Sequence, residues 1–162
     1  MLSALGVILL YLGAFVDVLD ISMAVFASFV CVIAVVEYGG SAPWLIYCAV
    51  SVLSLILLPN KTPAFFFALF FGFYPILKEK IEKLNFLIAW VIKEIIFNLS
   101  LFLAGFLSIL TFGLQNNELL NDRIMLAVLI GLAEIVFVLY DIVLKRLVVF
   151  YKVKLRKRMR IK

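Results

Sequence analysis

Apolar runs separated by short polar breaks are the dominant pattern of this chain. Most charged residues lie in the breaks or after the last run. The six runs are residues 2–16, 21–36, 44–58, 64–77, 86–114 and 124–150. A helix needs about 20 apolar residues to cross a hydrocarbon core of about 30 Å, and shorter helices cross by thinning the bilayer or packing against longer neighbours. The pattern therefore predicts an all-α, polytopic membrane protein: a bundle of six transmembrane helices.

The break between the first two runs contains no Gly or Pro and is set by Asp17 and Asp20. Two acids three residues apart are costly in hydrocarbon, so we place a turn there. No long linker or repeat divides the chain. We expect one transmembrane domain, residues 1–150, followed by a basic cytoplasmic tail, residues 151–162.

Composition excludes the soluble class of protein. Of the 162 residues, 67% are hydrophobic and 15% are charged, and the mean hydropathy is +1.23, whereas soluble domains have about 45–50% apolar and about 25% charged residues. The chain has no His, and Cys31 and Cys48 form no C-x-x-C motif. These absences argue against metal–His sites and Ser–His or Cys–His nucleophiles, so we expect no enzyme, cofactor or metal site.

Lys and Arg are distributed unevenly across the predicted membrane. With both termini inside, twelve lie on the inner side, and only Lys61 and Arg123 lie on the outer side, while Lys93 is intramembrane. The positive-inside rule thus favours a multi-pass protein of the cell membrane with both termini cytoplasmic. The tail has seven basic residues and no acid, which favours anionic lipid, rather than nucleic acid, as its partner.

Polar groups inside the predicted helices are few. Lys93, Glu94 and Asn98 lie on the fifth helix, and Glu134 and Asp141 lie on the sixth. In an antiparallel pair of helices, Lys93 and Asp141 fall at one depth, and Asn98 and Glu134 at another. We predict both contacts and place Glu94 either at the inner water boundary or close enough to another acid to hold a proton. These groups either lock the two helices together or, for Glu134 above all, bind a ligand.

Small residues predict where helices approach closely. They are Ala24, Ala27, Cys31 and Ala34 on the second helix, Ala64, Ala68 and Gly72 on the fourth, and Ala127 and Gly131 on the sixth. Phe65–Phe67 and Phe70–Phe71 either form core and lipid contacts or line an apolar cavity. Pro75 predicts a bend, after which residues 76–84 continue as an amphipathic stretch with a Glu79–Lys83 pair.

Six short helices with both termini inside, the Leu19-Asp-Ile-Ser22 segment, the Glu37-Tyr-Gly-Gly40 turn and the small residues of the fourth helix resemble the substrate-binding S components of energy-coupling-factor (ECF) vitamin transporters. The resemblance implies a vitamin-like small molecule bound between helices four to six and the outer loops. It also implies a transmembrane coupling subunit and ATPase subunits in separate chains.

On this interpretation the predicted ligand site has Glu134 and Asn98 at its floor and Asp17, Asn60, Lys61 and Arg123 around its mouth. One alternative is a non-catalytic membrane scaffold similar to the rod-shape-determining MreD family, which would hold protein partners rather than a ligand. A membrane enzyme is the third alternative.

Overall fold

A computed structural model describes residues 1–15, 19–112, 123–151 and 153, and in this part of the chain the regular structure is helical. The helices are α1 (Leu2–Gly13), α2 (Asp20–Glu37), α3 (Ala42–Leu57), α4 (Thr62–Phe66), a π-helical turn (Phe67–Phe71), α5 (Tyr74–Ile81), α6 (Phe86–Phe112) and α7 (Arg123–Phe150). The predicted all-α class is confirmed. Residue 152 and residues 154–162 of the predicted tail lie outside the described residues.

Three helical segments are long and apolar enough to cross a membrane, judged by length and composition. They are Asp20–Glu37, Phe86–Leu107 and Ala127–Phe150. The apolar helices α1 and α3 are shorter, with 12 and 16 residues. Three such segments indicate a membrane protein. The six-helix bundle stays a prediction.

The chain divides into two compact units, Met1–Ala104 and Gly105–Lys162. In the first unit α2 is the central helix, because it contacts α1, α3, α4, the π-helical turn and α5. The predicted small face of α2 is fully buried: Ala24, Ala27, Cys31 and Ala34 are each 0% exposed. Small side chains allow this close approach of several helices to one axis, so this prediction is confirmed.

The turn between α2 and α3 lies where Glu37-Tyr-Gly-Gly40 predicts it. Gly39 and Gly40 have φ angles of 59° and 57°, in the left-handed region that side chains with a Cβ rarely adopt. Pro43 lies in the first turn of α3, where its missing N–H leaves no helical hydrogen bond unmade. Two glycines and a proline therefore reverse the chain in a few residues.

The fourth apolar run is not one continuous helix. The Gly72 N–H donates to the Phe67 carbonyl at 2.7 Å across the π-helical turn, and α5 begins anew at Tyr74. Pro75 has no N–H, and a proline ring clashes with the carbonyl four residues earlier, so the helix is interrupted before the proline. The interruption lies at Gly72 and Phe73, just before Pro75, while the predicted bend of the helix axis stays a prediction.

The small residues of this run keep only part of the predicted face. Ala64 and Gly72 are buried, but Ala68 is half-buried, because the π-helical turn changes the register between them. On α7, Ala127 and Gly131 are exposed, and a Cβ added to Gly131 would meet no atom within 4 Å. Within the second unit no described neighbour packs closely on this pair, and the helix contact predicted there stays a prediction.

Candidate functional site

A partly buried polar pair lies at the end of the first unit where α2 begins and α3 ends. Asn60, in the α3–α4 connection, donates its Nδ2 to Asp20 Oδ2 at 3.3 Å. Asp20 is the first residue of α2 and is 6% exposed. A carboxylate at a helix N-terminus is stabilised by the helix dipole. The pair therefore joins the α1–α2 and α3–α4 connections inside an otherwise apolar packing.

The neighbouring groups of Asn60 hold its amide in place. Its Oδ1 accepts a hydrogen bond from the Thr62 N–H at 3.0 Å, a side-chain turn that starts α4. Lys61 Nζ donates to the Leu55 carbonyl in the last turn of α3, where the helix dipole favours a cation. Asn60 thus has both of its amide atoms fixed, and Lys61 closes the end of α3.

The predicted ligand site is only partly described. Of its six residues, the structure brings Asn60 and Lys61 together around one connection. Asn98 is exposed on α6 and donates its Nδ2 to the Glu94 carbonyl at 3.1 Å. Glu134 is half-buried on α7, in the other unit, so the Asn98–Glu134 floor stays a prediction. Asp17 and the side chain of Arg123 lie outside the described residues.

Sequence reasoning used Asp20 to place a turn and as part of the Leu19-Asp-Ile-Ser22 segment, and missed it as a site residue. The available signal was its position, because an acid followed at once by an apolar run is typical of the first turn of a helix. A carboxylate there interacts favourably with the helix dipole. Its contact with Asn60 joins residues 40 positions apart. No local pattern contains that pairing.

A second polar cluster, the Lys78–Glu82–Lys93 cluster, lies where α5 leads into α6. Lys93 Nζ is 3.5 Å and Lys78 Nζ is 3.6 Å from the same atom, Glu82 Oε1. The two lysine side chains are 2% and 6% exposed, against 38% for Glu82. The carboxylate thus faces water on one side and two buried ammonium groups on the other.

Aromatic rings lie beside both buried ammonium groups of this cluster. Lys78 Nζ lies 6.0 Å from the centre of the Tyr74 ring, and Lys93 Nζ lies 5.5 Å from the centre of the Trp90 ring. The negative face of a ring attracts a cation, and more strongly where water is excluded. Glu82 and the rings together make burial of two lysines tolerable beside apolar helices.

The Glu82 partner of Lys93 was missed by sequence reasoning, which compared depths only between the fifth and sixth helices. Asp141, the predicted partner, is 0% exposed, and its Oδ2 lies 3.7 Å from Lys145 Nζ one turn along α7. Lys93 and Asp141 belong to different units, and their predicted pair stays a prediction. The predicted Glu79–Lys83 pair is confirmed at 3.7 Å, between exposed side chains.

Aromatic side chains fill the space around the π-helical turn. Phe70 packs its ring 4.9 Å from Tyr74 and 5.4 Å from Phe97, measured between ring centres. Phe67 is 0% exposed, and its ring contacts that of Tyr47. Tyr47 Oη also donates to the Ala68 carbonyl at 2.8 Å. Phe67 and Phe70 therefore belong to the core, which is one of the two predicted alternatives.

Within the described residues, no group of three or more Cys, Asp or Glu side chains could hold a metal ion. Comparison with protein-family models, with curated proteins and with solved structures found no match. The function is therefore inferred from the geometry of the chain's own residues.

Proposed function

We propose that this chain is the membrane subunit of an ECF-type uptake transporter that binds a small, vitamin-like molecule. The observation that carries the proposal is the interrupted fourth run, with the Asp20–Asn60 pair at its beginning. Transporters place their substrate sites at discontinuous helices inside the membrane. Irregular backbone at membrane depth is tolerated where protein or a water-filled cavity surrounds it.

The polar pair supplies the chemistry that a ligand with hydrogen-bonding groups requires. Asp20 contributes a buried carboxylate, and Asn60 contributes an amide fixed by Asp20 and by the Thr62 N–H. The π-helical turn begins at Phe67, seven residues or about 10 Å of helix beyond Asn60. A π-helical turn is often found at a functional site. A ligand that enters beside Asn60 would meet the carboxylate first and the aromatic residues next.

The proposed orientation puts this pair on the outer face of the cell membrane, with both termini in the cytoplasm. Glu134 and Asn98 remain the proposed floor of the site, and Asp17, Lys61 and Arg123 the remainder of its mouth. The chain itself hydrolyses nothing in this proposal. A coupling subunit and ATPase subunits in separate chains supply the energy.

The second candidate is a non-catalytic scaffold similar to the MreD family, and one observation favours it. One side of α6 exposes large apolar residues at helical spacing, each at least half exposed: Leu87, Val91, Ile95, Leu99, Phe102 and Phe106. Such a stripe suits contact with the helices of another membrane protein as well as contact with lipid.

Mass spectrometry of the purified protein separates the two functions. On the transport proposal, the wild-type chain in mild detergent releases one defined small molecule on denaturation, near one equivalent per chain. Asp20→Asn should retain at least about tenfold less of this molecule, because a hydrogen bond to a charged group contributes about 1.5–3 kcal/mol. The matched control is Glu37→Gln, which removes the exposed carboxylate at the other end of α2.

Thermal unfolding shows whether Asp20→Asn is still folded. If it is not, Asn60→Ser, which keeps a polar group, takes its place. The opposite outcome has two parts. The wild-type protein retains no small molecule, and a membrane protein co-purifies with it at a fixed ratio and is lost on Leu87→Ser with Val91→Ser. Together these results would contradict transport and favour the scaffold.

A further inference from the structure

The C-terminal end of α7 has a groove that the proposed function does not use. The groove has a volume of about 670 Å³ and is lined by Lys145, Arg146, Val149, Phe150 and Val153. Residues 145, 149 and 153 follow each other at intervals of four, and residues 146 and 150 form the adjacent row. Residues spaced by four share one face of a helix, so basic and apolar groups lie side by side.

The side chains of this groove reach the surrounding solvent or lipid. The exposed fractions are 61% for Val149, 53% for Phe150 and 64% for Val153. The Lys145 side chain is 44% exposed, and Arg146 is exposed. Three apolar and two basic side chains therefore form one accessible surface.

Asp141 positions the ammonium group at the head of the groove. It is buried one helical turn before Lys145, and its Oδ2 lies 3.7 Å from Lys145 Nζ. The carboxylate restrains the lysine without covering it. Arg146, the next residue, adds a planar guanidinium, whose donors match the oxygens of a phosphate group.

The position of the groove along α7 matches the boundary of a membrane. From Ala127, where the apolar segment begins, to Lys145 the helix rises about 27 Å, close to the thickness of about 30 Å of a hydrocarbon core. Lys145 and Arg146 thus fall near the lipid phosphates. The last turn, with Val149 and Phe150, suits the headgroup region, where amphipathic helices rest with their apolar side chains buried.

We propose that this groove binds the headgroup of an anionic phospholipid, with the phosphate between Lys145 and Arg146. The acyl chains lie along the preceding turns of α7, where Leu139, Ile142 and Val143 are exposed, and Val149 and Phe150 lie beside the headgroup. Charge favours a lipid over a protein partner: residues 151–162 add seven basic residues and no acid, as is typical of a segment at an anionic membrane surface. The site needs only a membrane location, so it does not depend on the transported molecule.

Native mass spectrometry of the full chain from nanodiscs tests this site. The nanodiscs contain phosphatidylcholine alone or an equimolar mixture with phosphatidylglycerol. The wild-type protein should retain phosphatidylglycerol selectively, and Lys145→Gln with Arg146→Gln should retain about 30-fold less, which corresponds to about 1 kcal/mol for each of the two basic groups near the surface. Soluble glycerol phosphate in excess should displace little lipid, since it has no apolar part.

The matched control is Lys80→Gln with Lys83→Gln, which removes two exposed lysines from the α5 region and should retain the lipid as the wild type does. Because loss of Lys145 removes a partner of buried Asp141, Arg146→Gln alone is measured as well and should show a smaller loss in the same direction.

Equal retention by the two double variants would overturn the site and assign the lipid to the tail alone. Displacement of the lipid by glycerol phosphate would reduce it to a phosphate site. An acidic protein that co-purifies with the wild type and is lost on Arg146→Gln, with lipid retention unchanged, would replace the lipid by a protein partner.

Discussion

Lys93 Nζ lies 3.5 Å from Glu82 Oε1, and this oxygen also lies 3.6 Å from Lys78 Nζ. A single carboxylate, 38% exposed, therefore serves two lysines whose side chains are almost fully buried. The attraction links α5 to α6 across the short connection between them. An ion pair of this kind does not guarantee high stability, but loss of its shared member leaves buried charge behind.

Glu82→Gln should lower the free energy of unfolding by about 1–3 kcal/mol. Removing one partner of a fully buried pair costs about 3–5 kcal/mol, and the partial exposure of Glu82 reduces that cost. The measurement is equilibrium unfolding in detergent micelles. The control is Glu79→Gln, which breaks the exposed pair with Lys83 and should cost less than about 0.5 kcal/mol.

Coupling between the charges gives a second check on the same cluster. Lys93→Met combined with Glu82→Gln should lower the free energy of unfolding by less than the sum of the two single changes. Once Lys93 is replaced, loss of the Glu82 carboxylate leaves less buried positive charge behind. Strict additivity, or equal losses for Glu82→Gln and Glu79→Gln, would show that the Lys78–Glu82–Lys93 cluster does not act as a unit.

The ends of several helices could be predicted from the sequence, since they depend on local composition. The apolar runs place the start of α6 at Phe86 and the end of α7 at Phe150, as found. Pro75 announces an interruption, because a proline lacks the N–H that a helix needs. The π-helical turn could not be predicted, since its Ala68 carbonyl accepts from Tyr47, 21 residues away.

The candidate site was less predictable than the helices. Asn60 and Lys61 were identified as polar residues in an apolar chain, but their partners Asp20 and the Leu55 carbonyl depend on how the connections fold. Matching residues by their depth in two antiparallel helices gave Lys93 a partner on another transmembrane helix. It overlooked Glu82, which lies just after α5. A rule that compares only spanning helices cannot find a partner in a connection.

Gly72→Ala should destabilise the first unit by about 1–3 kcal/mol, the usual cost of overpacking a core. A Cβ at this position would lie 2.6 Å from Tyr47 Cδ2 and 2.7 Å from Phe67 Cε1. Both rings are held by the packing around the π-helical turn. Gly105→Ala, where a Cβ meets no atom within 4 Å, is the control and should leave the thermal midpoint nearly unchanged. Similar midpoints for the two variants would mean that the rings move aside freely.

Tyr47→Phe should cost about 0.5–1.5 kcal/mol of unfolding free energy, because the Ala68 carbonyl loses the hydroxyl that donates to it at 2.8 Å. The ring stays in place, so the apolar packing is preserved. Tyr38→Phe, on a side chain that is 68% exposed, should have no measurable effect. Chemical unfolding of both variants in one detergent gives the comparison, and a loss no larger for Tyr47 than for Tyr38 would exclude the hydrogen bond as a stabilising contact.

The orientation can be tested on the two connections that flank α3. In a background of Cys31→Ala and Cys48→Ala, an impermeant maleimide should label Pro59→Cys in intact cells and Ser41→Cys only after permeabilisation. Both positions are exposed, so access to the reagent depends on the side of the membrane. Labelling of wild-type protein beside the cysteine-free chain measures the background.

The outcome decides whether α3, one of the short predicted spans, crosses the membrane at all. Helix α3 has 16 residues, or about 24 Å of rise, which is less than the hydrocarbon core of about 30 Å. It can cross only if the bilayer thins around it or its neighbours shield its ends. Labelling of both positions from one side would mean that α3 does not cross, which would exclude the six-helix bundle. The reverse pattern would keep the crossing, invert the orientation and place the Asp20–Asn60 pair in the cytoplasm, where an uptake transporter cannot receive its substrate.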